Sequence, residues 1–214
     1  MDRLSFSSGK GPLDPLSAPF PGVPASTPEE TRRRMASLAP GDHMACIYGS
    51  DEERRVLLSD FVREGLGRGD KVLFLADEQT VRRDLGCPDE ETVVVPGLET
   101  GQLRILPPEG SYTRRSAFDP EDMMSLLEEE VMRARSEGYR TLRAAGEMDW
   151  ALRGVPGTDR LMEYEARINE LFRDRTCLAL CLYDRRRFSP GVLLGVLATH
   201  PLVAVGVDVI DNPY

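Results

Sequence analysis

Short apolar runs alternate with amphipathic helical patterns along most of this chain, and the alternation restricts the fold more than any other feature. The strand-like runs are 43–48, 71–76, 102–106, 140–145, 177–183 and 202–210. Two of them, 71–76 and 177–183, are almost entirely apolar, which is typical of parallel strands buried on both faces. The chain is therefore predicted to form an α/β fold with a mainly parallel sheet in three layers.

Helical patterns fill the segments between these runs. Ser50 and Glu53 form a capping box that begins one helix, and Asp119 followed by Pro120 begins another. The predicted helices cover 51–67, 78–85, 120–137, 158–174 and 189–199.

The composition divides the chain into three parts. Residues 1–26 are rich in Pro, Ser and Gly, which favours a disordered tail. Residues 27–40 predict a short helix, because Thr27 is an N-cap followed by Pro28 at the first helical position and by Glu30 three residues on. Residues 41–214 predict one domain.

Charge and hydropathy exclude several classes of partner. The net charge of −9 argues against a general nucleic-acid binder, which would show a basic face. No apolar run reaches the roughly 18 residues that span a bilayer, and the N-terminus lacks the order of a signal peptide. We therefore expect a cytoplasmic protein with no membrane partner.

Among its 27 basic residues only Lys10 and Lys71 are lysine, a bias typical of GC-rich bacterial genomes.

The end of the first strand has the position of a phosphate-binding loop but not its sequence. Such a loop needs glycines, a Lys and a Ser or Thr in the spacing G-x-x-x-x-G-K-[ST]. Here Gly49 and Ser50 are followed by Asp51, Glu52 and Glu53, which occupy the first helical turn. The three carboxylates complement the helix dipole and would repel a triphosphate, so we expect no nucleotide cofactor.

A candidate binding site lies beyond the carboxyl ends of the strands, where open α/β sheets bind ligands. Glu147 and Trp150 stand out there, because Gly146 keeps the strand tip open. We interpret Trp150 as a pocket wall and Glu147 as an anchor or proton acceptor; the other interpretation is a packed Trp beside a solvated Glu. Tyr48 and Tyr183, at the ends of the first and fifth strands, join this site, which suits a small organic ligand.

Four further candidates are less clearly placed. Glu165 and Asn169 are four residues apart on one helix and therefore share a face, so they contact either the pocket or a neighbouring loop. His43 and His200 each precede a strand, which places them at the amino edge of the sheet, opposite the ligand rim. Bonds to the backbone or to one another explain such histidines without any function.

The sequence predicts neither a metal site nor a catalytic residue. The spacings H-x-x-x-H and C-x-x-C are absent, and so is the nucleophile elbow G-x-S-x-G. Cys177 and Cys181 share one face of a strand without a histidine nearby in sequence that would activate them.

These residues, in this order, resemble the MEDS domain, the sensory domain named from methanogens, methylotrophs and the dichloromethane regulator. The resemblance covers about residues 41–214, and its elements are specific in order and spacing rather than singly. They are His43 with Tyr48, Glu64-Gly65-Leu66, Gly101-Gln102-Leu103, Phe118-Asp119-Pro120, Gly146-Glu147-Met148 with Trp150, Tyr164-Glu165 with Asn169, Cys181, Tyr183-Asp184, Phe188, Thr199-His200-Pro201 and Asn212-Pro213-Tyr214.

The resemblance implies a RecA-like fold that is related to the clock-protein ATPases and has lost the nucleotide-binding loop. It also implies the sensing of small molecules, proposed to be hydrocarbon-derived, in proteins that often carry DNA-binding, histidine-kinase or anti-sigma-type modules. No such module follows in this sequence, so we expect the signal to pass to a separate regulatory protein. The positions that carry over as functional candidates are His43, Glu147, Trp150, Glu165, Asn169, Tyr183 and His200.

Four functions remain open, of which residual nucleotide binding is the least supported, because three carboxylates occupy the loop. The first is a non-catalytic sensory domain in transcriptional or signal regulation. The second is a protein-interaction adaptor on a degenerate ATPase scaffold, which a rim filled by its own side chains would favour. The third is an enzyme with Glu147 as the base and His43 or His200 as its partner, which requires a histidine near the rim.

Overall fold

The computed structural model describes residues 26–85 and 88–213, which contain a seven-stranded sheet in the order β3-β2-β4-β5-β1-β6-β7. The strands are β1 (His43–Tyr48), β2 (Lys71–Leu75), β3 (Leu103–Leu106), β4 (Leu142–Glu147), β5 (Cys177–Asp184), β6 (Leu202–Val205) and β7 (Asp208–Asp211). Strands β1 to β6 are parallel, and β7 pairs antiparallel with β6. The predicted mainly parallel sheet is confirmed.

Helices cover both faces of the sheet. They are α1 (Pro28–Ser37), α2 (Asp51–Arg68), α3 (Glu78–Leu85), α4 (Pro88–Glu99), α5 (Pro120–Ser136), α6 (Leu161–Leu171) and α7 (Pro190–Leu197). One apolar core lies between the sheet and α1 to α4, and the other between the sheet and α5 to α7. We refer to these as the α1–α4 face and the α5–α7 face. None of the helices in the described ranges is long and apolar enough to cross a bilayer.

Three local predictions differ from the structure. Helix α4 was not predicted, because its run of valines and its internal Pro96 disfavour a helix locally. The packing of Val94 into the core beneath α2 stabilises it. The run 202–210 is two antiparallel strands rather than one, and the helix predicted over 158–174 is α-helical only in α6, between two short 3-10 turns. The predicted tail, 1–26, lies outside the described residues except for Ser26.

Alternation along the strands decides which candidate residues meet. Successive side chains of a strand point to opposite faces of the sheet. On β5, Cys181 and Tyr183 therefore lie on the α5–α7 face, whereas Leu180 and Leu182 lie on the α1–α4 face. The candidate site residues are divided in the same way.

Candidate functional site

Four polar side chains that are far apart in sequence converge on the α5–α7 face. His43 begins β1, Glu165 lies on α6, Cys181 lies on β5, and His200 precedes β6. All four are buried, and their potential ligand atoms lie within 4.8 Å of one another. We call these four residues the polar cluster. Asn169 and Tyr183 bond to it, so the fold brings together five of the eight predicted site residues.

The carboxylate of Glu165 is the centre of the polar cluster. Its Oε2 lies 3.3 Å from His43 Nε2 and 3.5 Å from His200 Nε2. Oε2 also accepts a hydrogen bond from the Cys181 thiol at 3.6 Å, and Oε1 accepts one from the Tyr183 hydroxyl. Burial raises the pKa of the Glu165 carboxyl, but the interactions with His200 and His43 outweigh it and hold the pKa below its usual value. The carboxylate is therefore ionised at neutral pH.

Each histidine is oriented by a hydrogen bond at its Nδ1. His43 Nδ1–H donates to Asn169 Oδ1 at 3.0 Å, because the Asn169 amide nitrogen is engaged as a donor to Thr199 O at 2.7 Å. His200 Nδ1–H donates to Val196 O at 2.8 Å. In neutral His200 this bond leaves the lone pair on Nε2, which faces Glu165. His43 Nε2 is within hydrogen-bond reach of Glu165 Oε2 at 3.3 Å, and this contact helps to lower the pKa of the Glu165 carboxyl. Burial, reinforced by the charge of neighbouring His43, lowers the pKa of His200 to about 3.

Cys181 is a member of the cluster that sequence reasoning missed. Its Sγ lies 3.5 Å from His43 Nε2, although the two residues are 138 positions apart. Strands β1 and β5 are neighbours, and Cys181 pairs with Ala45, two residues after His43 and on the same face. The relevant signal is the register between these strands, which the sequence does not display.

The sheet places Glu147 on the opposite side. Arg54 of α2 donates from Nη1 to Glu147 Oε2 at 2.7 Å, and the Tyr48 hydroxyl donates to Oε1 at 3.4 Å. These side chains are buried on the α1–α4 face, away from Trp150 and Tyr183. Glu147 and Tyr48 therefore form a separate buried group with Arg54, which the sequence analysis did not single out.

Trp150 is part of an aromatic layer at the carboxyl end of the sheet. Its ring is 1% exposed and packs on Tyr112 and Phe118, with centroid distances of 4.8 and 4.7 Å. Tyr164 of α6 contacts Tyr112 and Phe118 edge-on. We call these four residues the aromatic cap. Side chains of the chain itself thus fill this part of the predicted rim.

A small void lies between the aromatic cap and the polar cluster. It has a volume of about 10 Å³, which is room for about one water molecule. The residues that border it include Tyr112, Tyr164, Ala144, Gly146, Ala179 and Cys181. An apolar space thus ends at the thiol of the polar cluster.

The position of the phosphate-binding loop is filled by the chain's own groups. The carboxylate of Glu53 accepts a hydrogen bond from the Gly49 N–H at 2.6 Å, and Ser50 Oγ accepts one from the Glu53 N–H at 3.2 Å. The side chain of Arg185 lies directly against Gly49. An internal carboxylate therefore bonds the backbone donor to which a phosphate would bind.

Two glycines of the loop beside the aromatic cap should differ in how much stability they lose when replaced by alanine. Gly154 and Gly157 both have positive φ, +71° and +86°, but only at Gly157 would a Cβ overlap a backbone atom, the carbonyl oxygen of Phe118. We expect Gly154→Ala to lower the free energy of unfolding by about 1 kcal/mol. Gly157→Ala should cost an additional 1–3 kcal/mol, roughly, because the segments at 118 and 157 must separate. Urea denaturation measures both losses, and equal losses would contradict this close packing.

Residues 42–201 match the family model of MEDS, described as the methanogen/methylotroph, DcmR sensory domain. The transcriptional repressor DcmR of Methylorubrum extorquens is 32% identical to this chain over 166 residues. The aligned region covers 76% of this chain and 59% of the repressor, so the chain spans about three-fifths of the length of that relative.

Two solved structures share the fold. The KaiC-like protein PH0186 of Pyrococcus horikoshii OT3 superposes with a TM-score of 0.52 at 10% identity, over 77% of this chain and 70% of that protein. The flagellar accessory protein FlaH of Methanocaldococcus jannaschii does so with a TM-score of 0.52 at 13% identity, over 82% and 79%. At such identities the likeness shows the fold alone, and it confirms the predicted RecA-like architecture. The match of residues 42–201 to the family model shows that the chain belongs to the MEDS family of sensory domains.

Proposed function

We propose that this chain is a non-catalytic sensory domain in transcriptional or signal regulation, and that it binds a small, largely apolar molecule beneath the aromatic cap. The observation that carries the proposal is the void beside Cys181, which has apolar walls and one polar end. The family is one of sensory domains, and the DcmR relative is a transcriptional repressor. A hydrocarbon derivative of a few heavy atoms fits this chemistry.

The aromatic cap also offers one unused hydrogen-bond donor. The indole Nε1 of Trp150 is buried and has no hydrogen-bond partner among the described residues. Buried donors are nearly always bonded in folded proteins, so an exception calls for an explanation. Trp150 does not border the void as it stands, but a ligand that shifts the aromatic cap could bring a hydroxyl, carbonyl or halogen within reach of this donor. Under this proposal Trp150 would have the binding role that the sequence analysis gave it.

The size of the void couples binding to movement. A space of about 10 Å³ is smaller than any organic ligand, so binding requires the aromatic cap to shift outward. The ligand then favours the shifted arrangement by its difference in affinity for the two states. A separate regulatory protein, such as a kinase, an anti-sigma-type protein or a DNA-binding protein, would read the shifted surface.

One observation favours the adaptor as a second candidate. The rings of Trp150, Tyr112 and Phe118 fill the rim, as expected for a scaffold that only binds other proteins. The proposed enzyme has less support, because the sheet separates Glu147 from the two histidines, and both histidines are completely buried.

A thermal-shift screen with halomethanes, short alcohols and short carboxylic acids tests the sensory proposal. At a ligand concentration of about 100 times Kd, we expect a rise in Tm of roughly 5–10 °C. Ala144→Val should abolish the shift, because Ala144 borders the void. Ala145→Val is the matched control, since Ala145 is equally buried but lies on the α1–α4 face. A shift that survives Ala144→Val would contradict this site, and no shift with any compound would favour the adaptor.

A further inference from the structure

The donor atoms of the polar cluster lie close to the spacing of a tetrahedral metal site. Glu165 Oε2 lies 3.3 and 3.5 Å from the two histidine Nε2 atoms. Cys181 Sγ lies 3.5 Å from His43 Nε2 and 3.6 Å from Glu165 Oε2. With zinc–ligand bonds of about 2.0–2.3 Å, the edges of a tetrahedron are roughly 3.3–3.8 Å long. Four of the six donor–donor distances therefore already match such a site, and all six are within 4.8 Å.

One ring nitrogen of the polar cluster lacks a partner. His200 Nε2 is fully buried and finds no hydrogen-bond partner within the described part of the chain. A metal ion at the centre of the polar cluster would supply that partner and would contact the other three donors as well.

The surroundings also match those of ligating side chains. Histidines that bind metals commonly donate their other ring N–H to a carbonyl or carboxylate oxygen. His43 does so to Asn169 Oδ1, and His200 does so to Val196 O. Glu165 is held in turn by the Tyr183 hydroxyl. Asn169 and Tyr183 are thus positioning residues for the donors.

We propose that the polar cluster binds one divalent transition-metal ion, which its donor set of two imidazoles, one thiolate and one carboxylate identifies as Zn²⁺. The thiolate and imidazoles disfavour Mg²⁺ and Ca²⁺, which prefer oxygen ligands. Binding removes the proton of the Cys181 thiol, which passes to solvent, and forms the metal–sulfur bond. Four protein ligands and full burial are typical of a structural site, which here joins β1, β5, α6 and the start of β6. The absence of familiar spacing motifs hid this site in the sequence, because each ligand comes from a different element.

Cobalt titration of the full 214-residue chain tests the proposal. After the protein has been stripped with a chelator, Co²⁺ should produce the visible bands of a tetrahedral centre and a thiolate-to-cobalt charge-transfer band. Both should saturate at one equivalent, and Zn²⁺ should abolish them. Metal analysis of protein purified without chelator should find about one zinc ion per chain.

Single substitutions distinguish a proposed metal ligand from a nearby residue that does not bind the metal and from a residue that only orients a ligand. Cys181→Ala should lose the charge-transfer band, whereas Cys177→Ala should keep it, because Cys177 is buried on the same face of β5 outside the cluster. Asn169→Ala should weaken metal affinity by roughly 10–100-fold through loss of the bond that orients His43.

Two outcomes would overturn the metal site. One is the absence of cobalt bands and of bound zinc in the wild-type chain, which would mean that a proton on one histidine balances Glu165. The other is an unchanged charge-transfer band in Cys181→Ala. The wild-type titration decides the matter even if a variant fails to fold. The titration needs no organic ligand, and Ala144→Val should still bind metal. A negative result in one test therefore contradicts only the metal proposal or only the sensory proposal.

Discussion

Glu147→Ala is expected to lower the free energy of unfolding by about 3–5 kcal/mol. The substitution removes the carboxylate to which Arg54 Nη1 donates at 2.7 Å, while the guanidinium stays buried at 1% exposure. Loss of one partner from a buried ion pair is costly, because the remaining charge has given up its hydration. Urea denaturation measures the loss, and an unchanged m-value would show that the unfolded states are comparable.

Two controls isolate the effect of burial. Arg55, the neighbour of Arg54 on α2, pairs with Glu52 at the surface, so Glu52→Ala should change the stability by less than about 0.5 kcal/mol. The double variant Arg54→Met/Glu147→Leu removes both charges and should recover most of the loss. If Glu147→Ala is as harmless as Glu52→Ala, the buried pair does not stabilise the fold.

Trp150→Ala should also cost about 3–5 kcal/mol, in this case through a cavity. The indole is almost fully buried and packs between Tyr112 and Phe118. Its removal takes away the largest of the four rings of the aromatic cap, and the remaining rings cannot close the space completely. Urea denaturation again provides the measurement.

Leu152 supplies the matched control for Trp150. It lies in the same 3-10 turn, Asp149–Arg153, but its side chain is 38% exposed. We expect Leu152→Ala to cost about 0.5–1 kcal/mol, and Trp150→Phe to cost less than Trp150→Ala because a ring remains in the stack. Equal losses for Leu152→Ala and Trp150→Ala would mean that the indole is not part of a packed layer.

The positions of most strands and the mainly parallel character of the sheet could be predicted from the sequence, because both follow from local patterns, whereas the order of the strands could not. Apolar runs such as 71–76 and 177–183 indicate buried strands wherever they occur. The capping residues Thr27 and Ser50 likewise fixed two helix starts, which the structure confirms. Helix α4 was not predicted, because it is stabilised by core contacts of Val94 with residues distant in sequence.

Which residues form the site depends on the register between strands and on the face of the sheet to which each side chain points. A single sequence reveals neither of these. Glu147 and Trp150 are only three residues apart, yet the strand ends between them and they lie on opposite faces. Conversely, Cys181 and His43 are 138 residues apart and meet because β1 pairs with β5. Proximity in sequence was therefore misleading in the first case and uninformative in the second.

The strand order also determines when this domain is able to fold during its synthesis. Strand β1 lies between β5 and β6, so it has no hydrogen-bonding neighbour until the ribosome has made β5, which ends at Asp184. At translation rates of about 5–20 residues per second, the interval between Tyr48 and the end of β5 lasts roughly 7–27 seconds. Throughout that time an apolar strand destined for the centre of the sheet remains unpaired. Packing against α2 is the native contact of β1 that forms earliest, and a truncation before β5 leaves both edges of β1 without their native partners.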